Sequence, residues 1–314
     1  MKTKYFMMAI AATLLAACNN DENEMPNGPV EARITAGIDG PATRAVDQDW
    51  TSNDVIGVMV TSSTSGMDNL YKNVKYTVSS AGKTGTFTAE TGQGIFFQDA
   101  AEEVTFAAYY PYQASAANAL PGTAGSISGD TQDQSTQAKQ EALDFLYASG
   151  AKAKKSNPDV IFSSVNQFKH KMARLILVLQ TSTTDGFTAD QVTGGTYKLG
   201  GLMHAGTFNV TDGTATATGP IVNSWDITGN LKKDEAGSRT YTMILYPQEL
   251  SSGALTFSVL ISGQTYTCSI NPKLESGNSY KYSITVKKSG LEVSGSTIDS
   301  WGVGGSSSGD AKME

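Results

Sequence analysis

The side chains able to do metal or acid–base chemistry are few in this sequence and stand far apart. Its only histidines, His170 and His204, lie outside the H-E-x-x-H pattern of zinc hydrolases. Two cysteines, Cys18 and Cys268, are too few for a thiolate zinc cluster. We therefore interpret both histidines as structural and Cys268 as a small buried strand residue, and we predict no metal and no cofactor.

Two glycine-containing stretches come close to known catalytic motifs, and both fail. SSAGKT at 79–84 ends like a phosphate-binding loop, but the first glycine of G-x-x-x-x-G-K-[ST] would fall at Thr77. GSSSG at 305–309 fits G-x-S-x-G, a motif that needs a strand-to-helix turn and a later histidine, and no histidine follows His204. A hairpin turn and a linker explain the two stretches.

Paired carboxylates could bind calcium or share acid–base work, and they occur at Asp47/Asp49 and at Asp130/Asp133. Neither pair has the spacing of a calcium-binding loop, so we interpret them as solvated loop acids. The sequence thus contains no catalytic residue set and predicts no enzyme. A net charge of −7 without a basic patch also argues against nucleic acid as a partner.

The modification that the sequence does predict lies at its N-terminus. Two lysines precede an apolar run at 6–17, which is too short to span a bilayer comfortably. The run ends in LAAC at 15–18, which resembles the lipidation site of bacterial lipoproteins. Cleavage of the 1–17 signal and acylation of Cys18 would anchor the precursor in a membrane. The alternative is an ordinary signal followed by a coincidental cysteine.

An acidic tether, 18–29, follows this cysteine. Its cluster of Asp21, Glu22 and Glu24 resembles the export signal that sends lipoproteins of Bacteroidetes to the outer face of the outer membrane. The alternative is a solvated tether with almost nothing to bury. Both interpretations can hold at once, and the export-signal interpretation places the protein at the outer membrane and cell surface.

Short strands joined by turns are predicted for the remainder of the chain. Charged residues make up only 17% and glycine is frequent, and alternating apolar segments recur along both halves. One short helix is predicted around Ala142, Phe145 and Leu146, inside a long polar excursion at 113–158. The predicted fold is all-β, with a β-sandwich at 30–160 and a second at 161–314 that ends in a flexible tail.

Six phrases, in order, resemble the fimbrillin family of Bacteroidales, the Mfa-like pilins and their accessory subunits. They are TRAVDQDWTSNDVIGVMV at 43–60, FAAYYPY at 106–112, DQS and DFLYA at 133–135 and 144–148, FKHKMARLIL at 168–177, LYPQ at 245–248 and SGLEVSGSTIDSW at 289–301. The resemblance implies two transthyretin-like sandwich domains and export as a lipoprotein. It also implies that an Arg-specific protease removes the lipidated segment with the first strand, and that a neighbouring subunit's strand fills the groove.

The processing site that matches this resemblance is Arg44-Ala45, in a polar segment between predicted strands. The other arginines are Arg33 in a predicted strand, Arg174 in a core-like run, and Arg239, which is the remaining surface candidate. The alternative is that Arg44 is an ordinary loop arginine.

The donor strand is predicted at the C-terminal end, with Leu291, Val293, Ile298 and Trp301 as its apolar residues. The alternative is that this segment is the last strand of its own sandwich. The expected function is a structural subunit of a surface fimbria, resembling a type V pilus, that polymerises head to tail with other fimbrial subunits and supports adhesion. Alternatives are an anchor or tip subunit, and a monomeric surface lipoprotein that binds a host glycan or protein through Trp50, Trp225 or Trp301.

Overall fold

The computed structural model of the chain describes residues 28–39, 49–250 and 254–301, and the backbone of 303–307. β-Strands dominate these residues, so the predicted all-β class is confirmed. The first half contains β1 (Arg33–Gly37), β2 (Val55–Ser62), α1 (Met67–Leu70), β3 (Val74–Ser80), β4 (Thr84–Thr88), β5 (Val104–Tyr110), β6 (Ser126–Asp130), α2 (Gln137–Glu141), β7 (Leu146–Ala153), β8 (Asp159–Phe162), a 3-10 turn (Ser164–Asn166) and β9 (Lys169–His170).

The second half continues with strands and one further short helix. They are β10 (Ala173–Thr181), α3 (Ala189–Thr193), β11 (Thr196–Gly200), β12 (Leu202–Met203), β13 (Ala205–Asn209), β14 (Thr214–Ala217), β15 (Ile221–Val222), β16 (Trp225–Asp226), β17 (Lys232–Glu235), β18 (Ser238–Leu245), β19 (Leu255–Ile261), β20 (Gln264–Ile270), β21 (Asn278–Lys287), β22 (Gly290–Ser300) and β23 (Val303–Ser307). In the described part of the chain, no helix is long and apolar enough to cross a membrane.

Five sheets organise these strands. The first half forms an eight-stranded sheet in the order β8-β1-β4-β3-β2-β5-β7-β9 around its own apolar core. The second half packs a six-stranded sheet, β17-β18-β10-β21-β22-β23, against a four-stranded sheet, β16-β11-β19-β20. Alternation of buried and exposed side chains along strands such as β10 explains these layers, since successive side chains point to opposite faces.

The two halves are joined by strand pairing and by a third apolar cluster. A three-stranded sheet, β14-β13-β6, pairs the excursion of the first half with the second half, and a two-stranded sheet, β12-β15, lies beside it. The Gln134 carboxamide also bridges them, because its Nε2 donates to the Ile244 carbonyl and its Oε1 accepts from the Ile244 amide, each at 2.8 Å. The predicted division between 160 and 161 falls inside β8, and the first sheet continues to His170. The division into two sandwich domains stays a prediction.

The helix lies in the predicted excursion but ends earlier than the spacing of apolar residues suggests. Thr136 caps α2 by accepting a hydrogen bond from the Lys139 amide, and the helix ends at Glu141. Leu146 instead begins β7, which pairs with β5, and Phe145 stacks on Phe208 of the second half at 4.6 Å. Long-range pairing therefore overrides the local helical spacing.

Because the imidazole of His204 is buried, we expect the free energy of unfolding to decrease as the pH is lowered from 6.5 to 4. It is 1% exposed and lies 3.0 Å from the Thr131 hydroxyl, and burial lowers the pKa of His204 from 6.5 to about 4. Between pH 6.5 and pH 4, the imidazole is protonated in the unfolded chain but neutral in the folded chain. The contribution of His204 is therefore complete above pH 6.5 and is lost as the pH falls toward 4, by on the order of 3 kcal/mol.

Thermal melts of the wild type and of His204→Gln across that range test the expectation. The variant should lack this part of the pH dependence, and equal slopes for both proteins would contradict it.

Carboxylates act in a lower window. Hydrogen bonds lower the pKa of Asp133, paired with Lys139, to about 2, so its contribution is lost only as the pH falls from its ordinary pKa toward 2.

Candidate functional site

The candidate site is built around β1, which lies between two other strands rather than at a sheet edge. It pairs antiparallel with β4, where Ile34 opposes Phe87, and parallel with β8, where Ile34 opposes Val160. Its inward face carries Ile34 and Ala36, and Ala32, directly before the strand, continues this face; the three residues are 0%, 1% and 3% exposed. This narrow strand, with one large side chain between two small ones, therefore completes the core of the first half.

Hydrogen bonds outside the ladders tie both ends of β1 to its surroundings. The Ala32 amide donates to the Ile95 carbonyl at 2.8 Å, and the Asp39 amide donates to the Phe168 carbonyl at 2.7 Å. The buried indole Nε1 of Trp50 donates to the Ala36 carbonyl at 2.8 Å. Removal of β1 would leave backbone groups of two strands and this indole without partners, a state that costs free energy unless another strand replaces it.

Aromatic side chains line the core face against which β1 packs. Trp50 makes edge-on contacts with Phe87 and with Phe168, each with ring centroids 5.1 Å apart. Phe162 in turn contacts Phe168 at 5.8 Å. Because interiors are close-packed, rigid rings at this face leave little room for side chains larger than those of β1.

The arginines other than Arg44 sit where cleavage by a protease is unfavourable. Arg33 lies within the doubly paired β1, and its Nε is 2.6 Å from Asp159 Oδ1. Arg174 lies within β10, which has neighbours on both sides. The interpretation of Arg239 as a surface candidate is wrong: it is 4% exposed and makes a bidentate ion pair with Asp234 at 2.6 and 2.9 Å.

That ion pair explains why the chain tolerates a buried guanidinium beside a core. Its hydrogen bonds to Arg239 lower the pKa of the Asp234 carboxyl, and the same bonds raise the pKa of Arg239. The guanidinium also lies near the rings of Tyr197 and Tyr241, at 5.8 and 5.9 Å.

The predicted residues Cys18, Arg44 and Ala45 lie outside the described residues.

Strand β22 lies in its own sheet between β21 and β23, and its side chains are only partly buried there. It pairs with β21 from Lys287↔Gly290 to Asn278↔Ser300, with an irregularity next to Ser283. None of its 11 residues, all described, is fully buried. Leu291 and Val293 pack at the border of the core, whereas Ile298 is 36% exposed. The backbone ladder thus holds β22 more than its side chains do.

Trp301, directly after β22, is the last residue whose side chain the structure describes, and it is buried. Its ring is 3% exposed, stacks on His170 with centroids 4.2 Å apart, and lies 4.8 Å from the Arg174 guanidinium. His170 Nδ1 in turn lies 2.7 Å from an Asp144 carboxylate oxygen. Among the four predicted donor residues, the structure therefore groups Leu291 with Val293 on one core, places Trp301 at the junction of the halves, and leaves Ile298 substantially exposed.

Other side chains singled out by the sequence do not form a site. Trp50, Trp225 and Trp301 are 2%, 5% and 3% exposed, so none presents an open ring face on which a sugar could stack. Within the described residues, no three histidine, cysteine or acidic side chains are grouped so as to hold a metal ion. Burial raises the pKa of the Cys268 thiol to about 11, which makes it a poor nucleophile.

Comparison with known proteins gives this geometry a context. Residues 43–301 match the family model described as fimbrillin-like. A Bacteroides uniformis protein named as a fimbrium subunit, Fim1C, is 32% identical over 99% of this chain and 100% of its own length.

Solved structures show a similar fold. A crystal structure described as a cell adhesion protein from Bacteroides ovatus is 28% identical, has a TM-score of 0.70, and covers 87% of this chain and 98% of its own. A second, from Bacteroides uniformis, is 26% identical with a TM-score of 0.67 and covers 88% of this chain and 100% of its own. The chain belongs to the fimbrillin-like family of fimbrial subunits and cell adhesion proteins.

Proposed function

We propose that this protein is a structural subunit of a cell-surface fimbria that supports adhesion, has no enzymatic activity, and assembles by protease-triggered strand exchange. In this proposal, an Arg-specific protease cuts between Arg44 and Ala45, the segment containing β1 leaves, and a strand from a second subunit takes its place. The observation that carries the proposal is the position of β1 between β4 and β8, with Ile34 fully buried.

Loss of β1 would leave two defects in the first half of the chain. Two strands would gain unpaired edges facing each other, and an apolar slot would open between them. An incoming strand repairs both defects at once, which is β-augmentation from two sides. Because the donor and the slot lie on different parts of the chain, the contact is head-to-tail and need not close, so a filament can grow.

The donor in this proposal is β22, near the C-terminal end of the chain. β22 contributes no fully buried side chain to its own sheet, so its departure from β21 withdraws from that core only the partly buried Leu291 and Val293, together with the adjoining Trp301 at the junction of the halves. At home it pairs with β21 along its length and with β23 at Ile298 and Ser300, whereas β1 pairs with β4 and β8. Transfer of the 296–300 stretch into the slot of a second copy exchanges its pairing with β21 and β23 for pairing with β4 and β8, and it gives the open edges of those two strands a partner again.

The precursor in this proposal is a lipoprotein of the outer membrane. Cys18→Ala should leave an uncleaved or mislocalised precursor, because the variant lacks the thiol that is acylated during processing and that then anchors the protein in the membrane. Labelling with a palmitate analogue measures this directly: the wild-type protein should be labelled and the variant should not. Replacement of Asp21, Glu22 and Glu24 by alanine is the matched control, which should keep the label but reduce digestion by external protease. Undiminished labelling of Cys18→Ala would contradict the lipid anchor.

N-terminal sequencing of the protein on intact cells tests the proposed function. A polymerising subunit should begin at Ala45 and occur in filaments visible by negative-stain microscopy. A protein that begins at acylated Cys18 and is absent from filaments would overturn the strand-exchange assembly and leave a monomeric surface lipoprotein. A Cys18 start with the protein at the filament base would instead identify an anchor subunit.

A further inference from the structure

The inward face of β1 defines what a replacement strand must look like. It has one central position, occupied by Ile34, and two flanking positions, occupied by Ala32 and Ala36. These are all but completely buried against aromatic rings, so the flanking positions accept only small side chains. The outward side chains of Arg33 and Thr35 are at least partly exposed, so a replacement can carry polar residues there.

One stretch of β22 repeats this pattern. Ser296, Ile298 and Ser300 alternate as small, isoleucine and small, and the intervening residues Thr297 and Asp299 are polar. We propose that Ile298 of one copy occupies the central position in the slot of a second copy, with Ser296 and Ser300 in the flanking positions. This assignment rests on the proposed function and specifies its register.

Other registers of the same segment fail on size or charge. Val293 in the central position would put Leu291 into a flanking position, and Leu291 in the centre would put Val293 there. Trp301 in the centre would bury the carboxylate of Asp299. Overpacking and burial of an unpaired charge both weaken binding.

The position of Ile298 in its own sheet supports the assignment. It opposes Tyr280 across the ladder and keeps 36% exposure, more than Leu291 or Val293, which pack at the border of the core. Ile298 therefore gains more burial than these two residues on moving into a slot where Ile34 is 0% exposed.

The direction of the incoming strand follows from the slot. Parallel and antiparallel ladders place their donors and acceptors differently, so β8 and β4 offer their groups to a strand that runs as β1 does. Thr297 then takes the place of Arg33 opposite Asp159, and Asp299 takes the place of Thr35 opposite Ile161.

Disulfide trapping in filaments of the cut protein tests register and direction together. In a Cys268→Ser background, the pairs Thr297→Cys with Asp159→Cys and Asp299→Cys with Ile161→Cys should give a ladder of cross-linked subunits under oxidation. The exchanged pairs, Thr297→Cys with Ile161→Cys and Asp299→Cys with Asp159→Cys, should not cross-link, since a two-residue shift separates the Cα atoms by about 8 Å.

Side-chain variants test the size rule without relying on cysteines. Ile298→Ala should weaken assembly about 100-fold, and Ser300→Leu by about 10-fold or more, because the first empties the central position and the second overfills a flanking one. Both residues are exposed at home, so the monomers should fold as the wild type does. Thr297→Leu, which changes the outward face, is the matched control and should assemble normally.

The outcomes separate the register from the mechanism. Filaments that cross-link in neither of the two matched pairs, or that are insensitive to Ile298→Ala and Ser300→Leu, would overturn the assignment while strand exchange stands. Cut protein that forms no filament would overturn the proposed function. In that case a synthetic 290–307 peptide carrying Thr297→Cys is offered to the cut Asp159→Cys protein, and failure to label it would overturn the assignment as well.

Discussion

An Arg44→Ala variant should remain uncut, monomeric and more heat-stable than the processed subunit. Without the cut, β1 stays covalently in place between β4 and β8, and the slot never opens. Once the cut segment has left, the unfilled subunit loses the burial of Ile34, worth about 1.5–3 kcal/mol. It also leaves the indole of Trp50 and backbone groups of two strands unpaired, at about 1–3 kcal/mol for each buried group.

These losses predict a large difference in melting temperature. The burial of Ile34 and the hydrogen bond of the Trp50 indole together are worth about 5 kcal/mol, which corresponds to a shift of roughly 10–20 °C for a domain of this size, and any backbone group that stays buried and unpaired adds to it. Thermal melts of uncut Arg44→Ala and of freshly cut, unassembled subunit measure it, and size-exclusion chromatography reports assembly. Arg44→Lys should behave like the alanine variant toward an Arg-specific protease, although it keeps the charge.

A rescue variant separates loss of the cut from damage to the fold. Replacing 43–46 by the recognition sequence of an unrelated protease should restore polymerisation only when that protease is added. Normal filaments from Arg44→Ala under the native protease would show that another bond is processed. In the described part of the chain, no alternative arginine is well placed, since Arg33 is paired with Asp159 inside β1 and Arg239 is buried against Asp234.

The sequence predicted the strands better than the partners of individual residues. Alternation along β10 or β21 is local information, and it is enough to indicate an all-β fold. The spacing of Phe145 and Leu146 suggested more helix than exists, because pairing of β7 with β5 decides their conformation. Arg239 was misjudged for a similar reason, since its burial depends on a hairpin that brings Asp234 opposite it.

The candidate site could be predicted only in part. The small–large–small pattern of β1 and its repeat in β22 are both present in the sequence. Their relation has meaning only once β1 is known to lie between β4 and β8, and β8 reaches it from more than a hundred residues away. Four apolar residues lie in the donor segment, and tertiary contacts decide which of them are buried in the monomer. The burial of Trp301 against His170 is an example.

Deletion of 291–314 should abolish polymerisation but leave a soluble, folded monomer of reduced stability. The deletion removes β23 and all of β22 except Gly290; no side chain of β22 is fully buried, and the large buried group that the deletion takes away is Trp301. Truncation of a buried tryptophan typically costs about 3–5 kcal/mol. Most of the stability loss should therefore come from that residue rather than from β22.

Trp301→Ala is the matched variant that separates stability from assembly. It should reproduce most of the loss in melting temperature, because it empties the space between His170 and Arg174. It should still polymerise, and faster than the wild type, because Ile298 is intact and the contact that holds the end of β22 at home is gone. Calorimetry gives the stability, and light scattering of the cut proteins gives the rate of assembly.

The two variants together decide whether β22 is a donor. If it is an indispensable strand of its own sheet, the 291–314 deletion will unfold or aggregate and no stable monomer will be recovered, which would rule out donation by this segment. If it is a donor, the truncated protein will keep its slot and will act as a chain terminator, capping filaments of the full-length subunit. The full-length monomer contains the ladder between β21 and β22 whether or not β22 is a donor. The distinction rests on how little of the core depends on β22.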